Sequence, residues 1–299
     1  MAYSEQFLAS FVKSLKSLAR SVISHVPTLP YLYLRNCLRF RKVAHPWRPR
    51  SFNDHMLRMM LDARDSRRRI FADKLETRAY VESRIGSGYL PKIYVQTDDV
   101  DKIDLSSLPD SFVLKTSHGC GMNQIVLDKS QIDIESVKMR LRKWMATDYG
   151  KLKHEWVYAG ISPRLFAEEL LEMAPGKVPY DYKFFCFHGC VRLIQVVQDR
   201  SLTNFSRRTH AFYDPDWQRL EMSWGAPQAK NVSKPPLLAK MTNLARILST
   251  DFNFLRVDMY VLGDRIVLGE LTNFPDAGAV PIKPTSRDDW LGSFFQTGS

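Results

Sequence analysis

Residues 254–275 read FLRVDMYVLGDRIVLGELTNFP, two runs in which apolar and polar residues alternate around the pair Gly263-Asp264. This pattern is typical of a β-hairpin, because successive side chains of a strand point to opposite faces of the sheet. One face is predicted to carry Arg256, Asp258 and Tyr260 from the first strand, and Ile266, Leu268, Glu270 and Thr272 from the second. Charged groups of both signs therefore share one face of the hairpin.

The length of the connection decides which of these residues face each other. If it is the three-residue loop from Gly263 to Arg265, Asp258 lies directly opposite Glu270, and Arg256 lies opposite Thr272. Two carboxylates beside a guanidinium suit a hard divalent cation such as magnesium, which binds through one or two carboxylates together with substrate phosphates. The hairpin is thus a candidate metal site, and a surface hairpin with an ordinary Arg–Asp pair is the alternative.

The composition indicates a globular protein without a disulfide framework. The 299 residues are 44% hydrophobic and 12% aromatic, which is enough for a body of one or two domains. The four cysteines show no paired spacing and no secretory leader is evident, so a reducing, cytoplasmic setting is expected. Cys186-Phe-His188-Gly-Cys190 straddles a predicted turn and lacks a second ligand pair, which disfavours a zinc site.

The net charge of +11 is concentrated in residues 1–50, which hold nine Lys/Arg and one acid, Glu5. Apolar residues there recur at helical spacing with basic residues between them: Phe7, Phe11, Leu15, Leu18, Val22 and Val26, with Lys13, Lys16 and Arg20. A basic amphipathic helix over 1–26 could pack on the protein's own body, lie on an anionic membrane surface, or bind nucleic acid or a partner protein. A second basic helix is predicted from Tyr31 to Lys42, so residues 1–50 form a helical extension.

Two segments are candidates for phosphate binding. Lys74 and Arg78 are four residues apart in a predicted helix over 71–85, so they share a face. Lys115 closes a predicted strand that enters the loop TSHGCGMN at 116–123, where glycines would let backbone N–H groups approach a phosphate. A solvated helix face and a tight hairpin with an incidental lysine are the respective alternatives.

The segments between these loops and the last hairpin add a strand, a second hairpin and a helix. The pattern predicts a strand within 163–172, a hairpin over 181–197 around His188-Gly189, and a helix over 237–249. Basic residues of a polar stretch could face an anionic substrate or be solvated: Arg200, Arg207, Arg208 and His210.

Taken in order, these segments resemble the ATP-grasp superfamily, and specifically its TupA-like branch, which is associated with teichuronopeptide and other surface-polysaccharide synthesis. The resemblance covers about residues 45–292 and depends on the order of short blocks rather than on any one of them. The blocks are Phe52-Asn-Asp54, Ala72-Asp73-Lys74, Phe112-Val-Leu-Lys115 with His118-Gly119, Ala167-Glu168-Glu169, Asp181-Tyr-Lys183-Phe-Phe, Arg256-Val-Asp258 and Gly269-Glu270-Leu-Thr272.

This resemblance implies an α+β fold in which two α+β lobes of a domain over 51–299 enclose ATP. The lid lobe would span about 87–165, and the metal-binding lobe about 166–299. The residues implied to bind ATP are Lys74, Lys115, His118, Gly119, Gly121, Glu168, Glu169, Leu170, Leu171, Asp181 and Lys183. Those implied to bind magnesium are Asp258, Glu270 and Thr272, and those implied to act on the transferred phosphoryl group are Arg256, Lys115 and Lys74. By charge alone, Arg200, Arg207, Arg208 and His210 are candidates for contacting the acceptor.

The family pattern is not met everywhere. Many ATP-grasp ligases have Glu-x-Asn where this chain has Glu270-Leu-Thr272, so a hydroxyl replaces the amide ligand of a second magnesium. The TupA-like branch tolerates threonine there, but the ligand set supports a first magnesium ion better than a second.

The function that the resemblance implies is that of an ATP-dependent carboxylate–amine ligase working through an acylphosphate. Its partners would be ATP, magnesium, a uronic-acid-containing glycan or precursor of a bacterial surface polysaccharide, and an amine such as an amino acid. The basic helix would fit work at the inner face of the cytoplasmic membrane. The alternatives are a kinase of a sugar hydroxyl that uses the same nucleotide site, and a non-catalytic basic module that binds membrane or nucleic acid.

Overall fold

The computed structural model describes residues 23, 25–173, 178–200 and 208–296. Its α-helices there are α1 (Thr28–Phe40), α2 (Phe52–Leu61), α3 (Lys74–Ile85), α4 (Ile134–Met145), α5 (Tyr149–Lys153), α6 (Leu238–Ser249) and α7 (Thr285–Ser293). The strands are β1 (Ile93–Thr97), β2 (Phe112–Thr116), β3 (Asn123–Val126), β4 (Leu165–Glu168), β5 (Asp181–Phe187), β6 (Cys190–Gln198), β7 (Thr209–Tyr213), β8 (Ser223–Trp224), β9 (Leu255–Leu262), β10 (Arg265–Thr272) and β11 (Ile282–Lys283). Two 3₁₀ helices, Ser66–Ala72 and Pro275–Gly278, connect elements near the site.

The strands form two main antiparallel sheets. The first has the order β1-β4-β2-β3 and the second has the order β10-β9-β5-β6-β7, while β8 and β11 form a separate pair. Helices and antiparallel sheets in one chain confirm the predicted α+β class. Strand β4, at 165–168, pairs with the first sheet, so that sheet extends slightly past the predicted lobe boundary.

The second sheet has one apolar face and one mixed face, as strand alternation requires. Phe184 on β5 and Val257 on β9 belong to the buried core that also contains apolar residues of α6. The opposite face of β5 carries Asp181 and Lys183, and further along it carries Phe185, which is buried in a separate aromatic cluster. The same sheet face is thus covered by protein at one end and lines a cavity at the other.

The aromatic cluster is built around Phe52, which is fully buried at the start of α2. Its ring lies 5.2 Å from that of Phe254 and 5.3 Å from that of Trp224, both in edge-to-face geometry. Ser51 and Asp54 form a reciprocal capping box that fixes the first turn of α2. Helix α2 therefore begins at Phe52, directly after its cap Ser51.

Helix α1 packs against the body of the protein. Its Leu32 is fully buried in a cluster with Leu57 of α2 and with Phe274, which follows β10. The helix begins at Thr28, three residues before the predicted Tyr31, and ends at Phe40. The helix predicted over 1–26 falls mostly outside the described residues. Among the residues that are described, no helix is long and apolar enough to cross a membrane.

Two further predictions of local structure are confirmed. The hairpin formed by β5 and β6 turns at His188-Gly189, and both residues have positive φ angles, of 50° and 77°. This geometry is that of a two-residue hairpin turn whose twist matches the strands. Helix α6 spans Leu238–Ser249, which is within one residue of the predicted range.

Candidate active site

The last hairpin has the predicted pairing at its functional end, but the predicted loop was wrong. Arg265 pairs with Leu262, so the connection is the two-residue turn Gly263-Asp264. A β-bulge between Leu268 and Glu270 then inserts one extra residue. As a result Glu270 pairs with Asp258, and Thr272 pairs with Arg256, as the three-residue loop would have given.

Because of the bulge, the side chains of β10 face differently from the prediction. Ile266 and Leu268 were expected to share a face with Glu270, but both lie in the buried core that contains Val257 and Met259. The extra residue at Gly269 reverses the alternation, so that only the end of β10 presents its polar side chains with Asp258. Apolar packing and the carboxylate pair are therefore both satisfied in one short strand.

Gly269 allows a close approach by Tyr260. A Cβ atom at position 269 would lie 2.7 Å from Tyr260 Cε2, nearer than such atoms normally come. We expect Gly269→Ala to displace the Tyr260 ring, to weaken magnesium-ATP binding roughly tenfold and to lower the unfolding free energy by about 1 kcal/mol. Titration calorimetry and urea unfolding would measure these changes. Gly88→Ala is the control because its Cβ would meet nothing within 4 Å, and equal ATP affinity in both variants would contradict the expectation.

A cavity of about 430 Å³ lies between the two main sheets. The predicted site residues that line it are Lys74, Lys115, Gly119, Gly121, Glu168, Leu171, Asp181, Lys183, Arg200, Arg208, His210, Arg256, Asp258 and Glu270. These residues come from segments between 74 and 270, and the fold brings them to one place. A larger cleft of about 530 Å³ beside α2 contains none of the predicted residues, so we place the candidate site in the smaller one.

Asp258 is the centre of the charged network on the sheet. Its two carboxylate oxygens accept hydrogen bonds of 2.7 Å from Nε and Nη2 of Arg256, and Lys183 Nζ donates to one of them as well. Burial alone would raise the pKa of Asp258, but Arg256 and Lys183 hold it below its ordinary value. Lys183 also contacts Asp181 at 2.8 Å, and Arg200 Nη1 lies 3.4 Å from the same carboxylate, so Asp258 and Asp181 are matched by three cations.

Glu270 is much less constrained than Asp258. Its side chain is 45% exposed, and Arg256 is its ion-pair partner at 3.7 Å. No cluster of three metal-ligating side chains occurs within the described ranges. A carboxylate pair on neighbouring strands still fits magnesium, because this ion keeps water and phosphate oxygens among its ligands. Asp258 and Glu270 are therefore the residues that would hold it.

The first sheet and helix α3 contribute the phosphate-binding candidates. Lys115 Nζ forms an ion pair with Glu168, and Arg78 Nη1 lies 3.8 Å from the same carboxylate. Lys74 Nζ donates instead to the carbonyl oxygens of Thr116 and Gly119. Burial lowers the pKa of Lys74, whereas Glu168 raises the pKa of Lys115 against the effect of its burial. The two lysines therefore reach the cavity in different electrostatic settings.

Four predicted residues do not line the cavity. Glu169 forms a two-pronged ion pair with Arg265 at 2.8 and 3.0 Å, and Leu170 follows it outside the lining. His118 is buried, and its Nε2 lies 3.2 Å from the carbonyl oxygen of Thr147. Thr272 accepts a hydrogen bond of 2.9 Å from Arg256. Arg207 lies outside the described residues.

Arg78, which was predicted to share a helix face with Lys74, also lines the cavity. Among the polar residues that line the cavity without having been predicted are Gln195 and Asp276. Gln195 pairs with Lys183 across β5 and β6, so strand pairing held a signal for it. Asp276 has a φ of 50°, in the left-handed region. No pattern in the sequence indicates that backbone conformation at an aspartate.

Comparison with solved structures shows similarity to several enzymes. With D-alanine–D-alanine ligase from Bacillus anthracis, the TM-score is 0.46 at 16% identity, over 76% of this chain and 66% of that chain. With ATP-grasp ligase PsnB complexed with minimal precursor, Mg and ADP, it is 0.39 at 11% identity, over 77% and 60%. With the ADP complex of purK, N5-carboxyaminoimidazole ribonucleotide synthetase, it is 0.38 at 11% identity, over 68% and 45%. The chain thus spans about half to two thirds of the length of these structures.

No curated protein sequence matches the chain significantly. A family model does match: the model described as TupA-like ATPgrasp covers residues 54–296. That range contains both main sheets and every cavity residue named above. The predicted family and the predicted ATP-grasp fold are confirmed, and the chain belongs to the TupA-like ATP-grasp family.

Proposed function

We propose that the chain is an ATP-dependent carboxylate–amine ligase that activates a uronic-acid carboxylate of a bacterial surface polysaccharide, or of its precursor, and joins it to an amine. One observation carries this proposal. The cross-strand carboxylates Asp258 and Glu270 lie beside Arg256 in a cavity that Lys115 enters from the opposite sheet and Lys74 from the start of α3. Converging carboxylates next to several cations suit a magnesium–nucleotide complex, and a simple anion-binding module has no need of them.

The reaction would proceed in two steps. A carboxylate oxygen of the acceptor attacks the γ-phosphorus of ATP, the bond to the β–γ bridging oxygen breaks, and ADP leaves. The amine nitrogen then attacks the acyl carbon of the acylphosphate, the carbon–oxygen bond to phosphate breaks, and the nitrogen gives up a proton. Lys115, Lys74 and Arg256 would bind the phosphates and stabilise charge on the transferred group. Magnesium, when bound, supplies further charge neutralisation at the phosphates.

Nucleotide binding would rearrange the charged network on the sheet. Arg256 and Lys183 both contact Asp258, so a carboxylate that would bind magnesium is matched by protein cations. Nucleotide phosphates offer these cations another partner, and Asp258 is then available to magnesium. Because Arg256 and Lys183 would leave Asp258 only when a nucleotide is present, magnesium would bind together with ATP rather than before it.

Further parts of the proposal concern the two ends of the cavity. The loop at Gly119–Gly121 would act as a lid in the lobe at about 87–165 and exclude water from the acylphosphate. Arg200, Arg208 and His210 would face the anionic acceptor, together with Arg207. His210 Nδ1 lies 2.7 Å from the carbonyl oxygen of Trp224 and 2.9 Å from Nε2 of Gln195, and these contacts orient its ring. Residues 1–26 would contribute a basic membrane-binding helix.

Hydroxylamine provides a test that does not require the natural amine. We expect ATP, magnesium and hydroxylamine to yield a hydroxamate with at least one member of a uronic-acid panel, together with ADP, because hydroxylamine intercepts acylphosphates. Mass spectrometry of the product and coupled ADP detection would measure this. The control replaces each uronic acid with its neutral parent sugar. A phosphate ester formed equally from the neutral sugar would contradict the ligase and indicate a kinase.

A further inference from the structure

The surface formed by α1 and the loop after it combines exposed apolar and basic side chains. Five of the ten exposed large hydrophobic residues within the described part of the chain lie between positions 29 and 47: Leu29, Leu34, Leu38, Val43 and Trp47. Leu38 is 70% exposed and Trp47 is 67% exposed, which is costly in water unless something covers them. We call Leu34, Leu38, Val43 and Trp47 the α1 patch.

Three residues of this patch lie on or beside α1. Leu34 and Leu38 are four residues apart and so lie on one face, opposite the buried Leu32 and Asn36. After α1, the chain brings Trp47 back beside the helix, where its ring lies 6.1 Å from that of Tyr33. Leu34 and Leu38 therefore share one exposed face of α1, and Trp47 lies beside the same helix.

The charge around the α1 patch identifies the kind of partner. Residues 28–50 contain six Lys/Arg and no Asp or Glu. Arg41, Lys42, Arg48 and Arg50 are exposed, and none of them forms an ion pair within the described residues. Leucine and tryptophan side chains beside basic side chains without ion-pair partners suit the boundary between anionic headgroups and acyl chains. A nucleic acid would bind the basic side chains but would leave Leu34 and Leu38 in water.

We propose that the α1 patch docks on an anionic lipid membrane, with its apolar side chains inserted at the interface and the surrounding bases on the headgroups. The 13 residues of α1 are about 20 Å long, shorter than a bilayer core, so the helix lies on the surface. This site is separate from the membrane contact proposed for residues 1–26, and it does not depend on the ligase reaction. Docking through α1, which packs on the body of the protein, would hold the protein at the lipid surface.

Vesicle co-sedimentation of the full chain, without ATP, tests the proposal. We expect binding to vesicles of equal parts phosphatidylcholine and phosphatidylglycerol, and little binding to phosphatidylcholine alone. The variant Leu34→Ser/Leu38→Ser/Trp47→Ser should raise the apparent dissociation constant roughly tenfold or more. The matched control is Leu127→Ser/Ile134→Ser/Met139→Ser, which changes three exposed apolar residues elsewhere and should bind as wild type.

Three results would overturn the proposal. The first is wild-type binding to anionic vesicles by the α1 patch variant, which would assign the contact to other residues such as 1–26. The second is the absence of wild-type binding to either kind of vesicle. The third is a concentration-dependent dimer in sedimentation velocity that the α1 patch variant loses without any effect on vesicle binding, which would identify a second copy of the chain as the partner. Because none of these measurements uses ATP, a failed ligase assay would not affect them.

Discussion

Replacement of Glu270 by glutamine is expected to lower turnover about 10²–10³-fold while the protein stays folded. Glu270 would provide one of the two carboxylates for magnesium, and glutamine keeps its shape but loses the charge. Its side chain is 45% exposed and lies 3.7 Å from Arg256, so the substitution leaves no fully buried cation unpaired. Replacement of Asp258 would be less informative, because its removal would disturb Lys183 and Arg256 together.

Asp264→Asn is the matched control for this variant. Asp264 is an exposed carboxylate in the turn of the same hairpin, and it does not line the cavity. The measurements are the rate of hydroxamate formation at several magnesium concentrations and the midpoint of thermal unfolding. Full turnover by Glu270→Gln, with a normal midpoint, would show that this carboxylate is not part of the metal site. A lowered midpoint shared by both variants would indicate damage to the hairpin instead.

The largest expected loss of stability follows from Phe52→Ala, which should lower the unfolding free energy by about 3–5 kcal/mol. Phe52 is fully buried, and five other aromatic rings surround it: Phe185, Phe187, Trp224, Phe254 and Phe295. The surrounding rings come from both strands and loops, so they cannot collapse readily into the vacated volume. Urea unfolding followed by far-UV circular dichroism would measure the change.

Phe294→Ala serves as the comparison for Phe52→Ala. Phe294 packs against the same aromatic cluster but is only partly buried. Its truncation should cost less than half as much, because part of the new volume opens to water. Equal losses in the two variants would contradict a central role for Phe52.

Much of the fold and of the site could be predicted because the signals are local. Alternation identified the β5–β6 hairpin, and helical period identified α6. Which distant segments share one cavity was implied by the resemblance of the ordered blocks to the ATP-grasp superfamily rather than by a local signal, and the structure brings Lys115 and Asp258 to that cavity. Residues that act from regular strands and helices are the ones that sequence periodicity can locate.

The remainder depends on contacts between distant parts of the chain. The β10 faces were mispredicted because a two-residue turn and a bulge cannot be distinguished in advance from a three-residue loop. Glu169 follows a strand whose last residue lines the cavity, but its carboxylate forms an ion pair with Arg265 outside the cavity. The position of Asp276 depends on a left-handed backbone, and Arg35 of α1 supports that loop through a 2.7 Å hydrogen bond to the carbonyl oxygen of Ala277. Neither the Arg265–Glu169 contact nor the Arg35–Ala277 contact can be predicted from a local sequence pattern.

The turn at 263–264 and the bulge at Gly269 change the strand register by one residue each, in ways that cancel. A single-residue insertion in the turn, or a single-residue deletion at the bulge, would by itself move Glu270 out of line with Asp258. Both changes together would restore the alignment and produce a regular hairpin. Gaps at these two positions are therefore coupled: a lineage that lengthened the turn could keep its carboxylate pair only by losing the bulge.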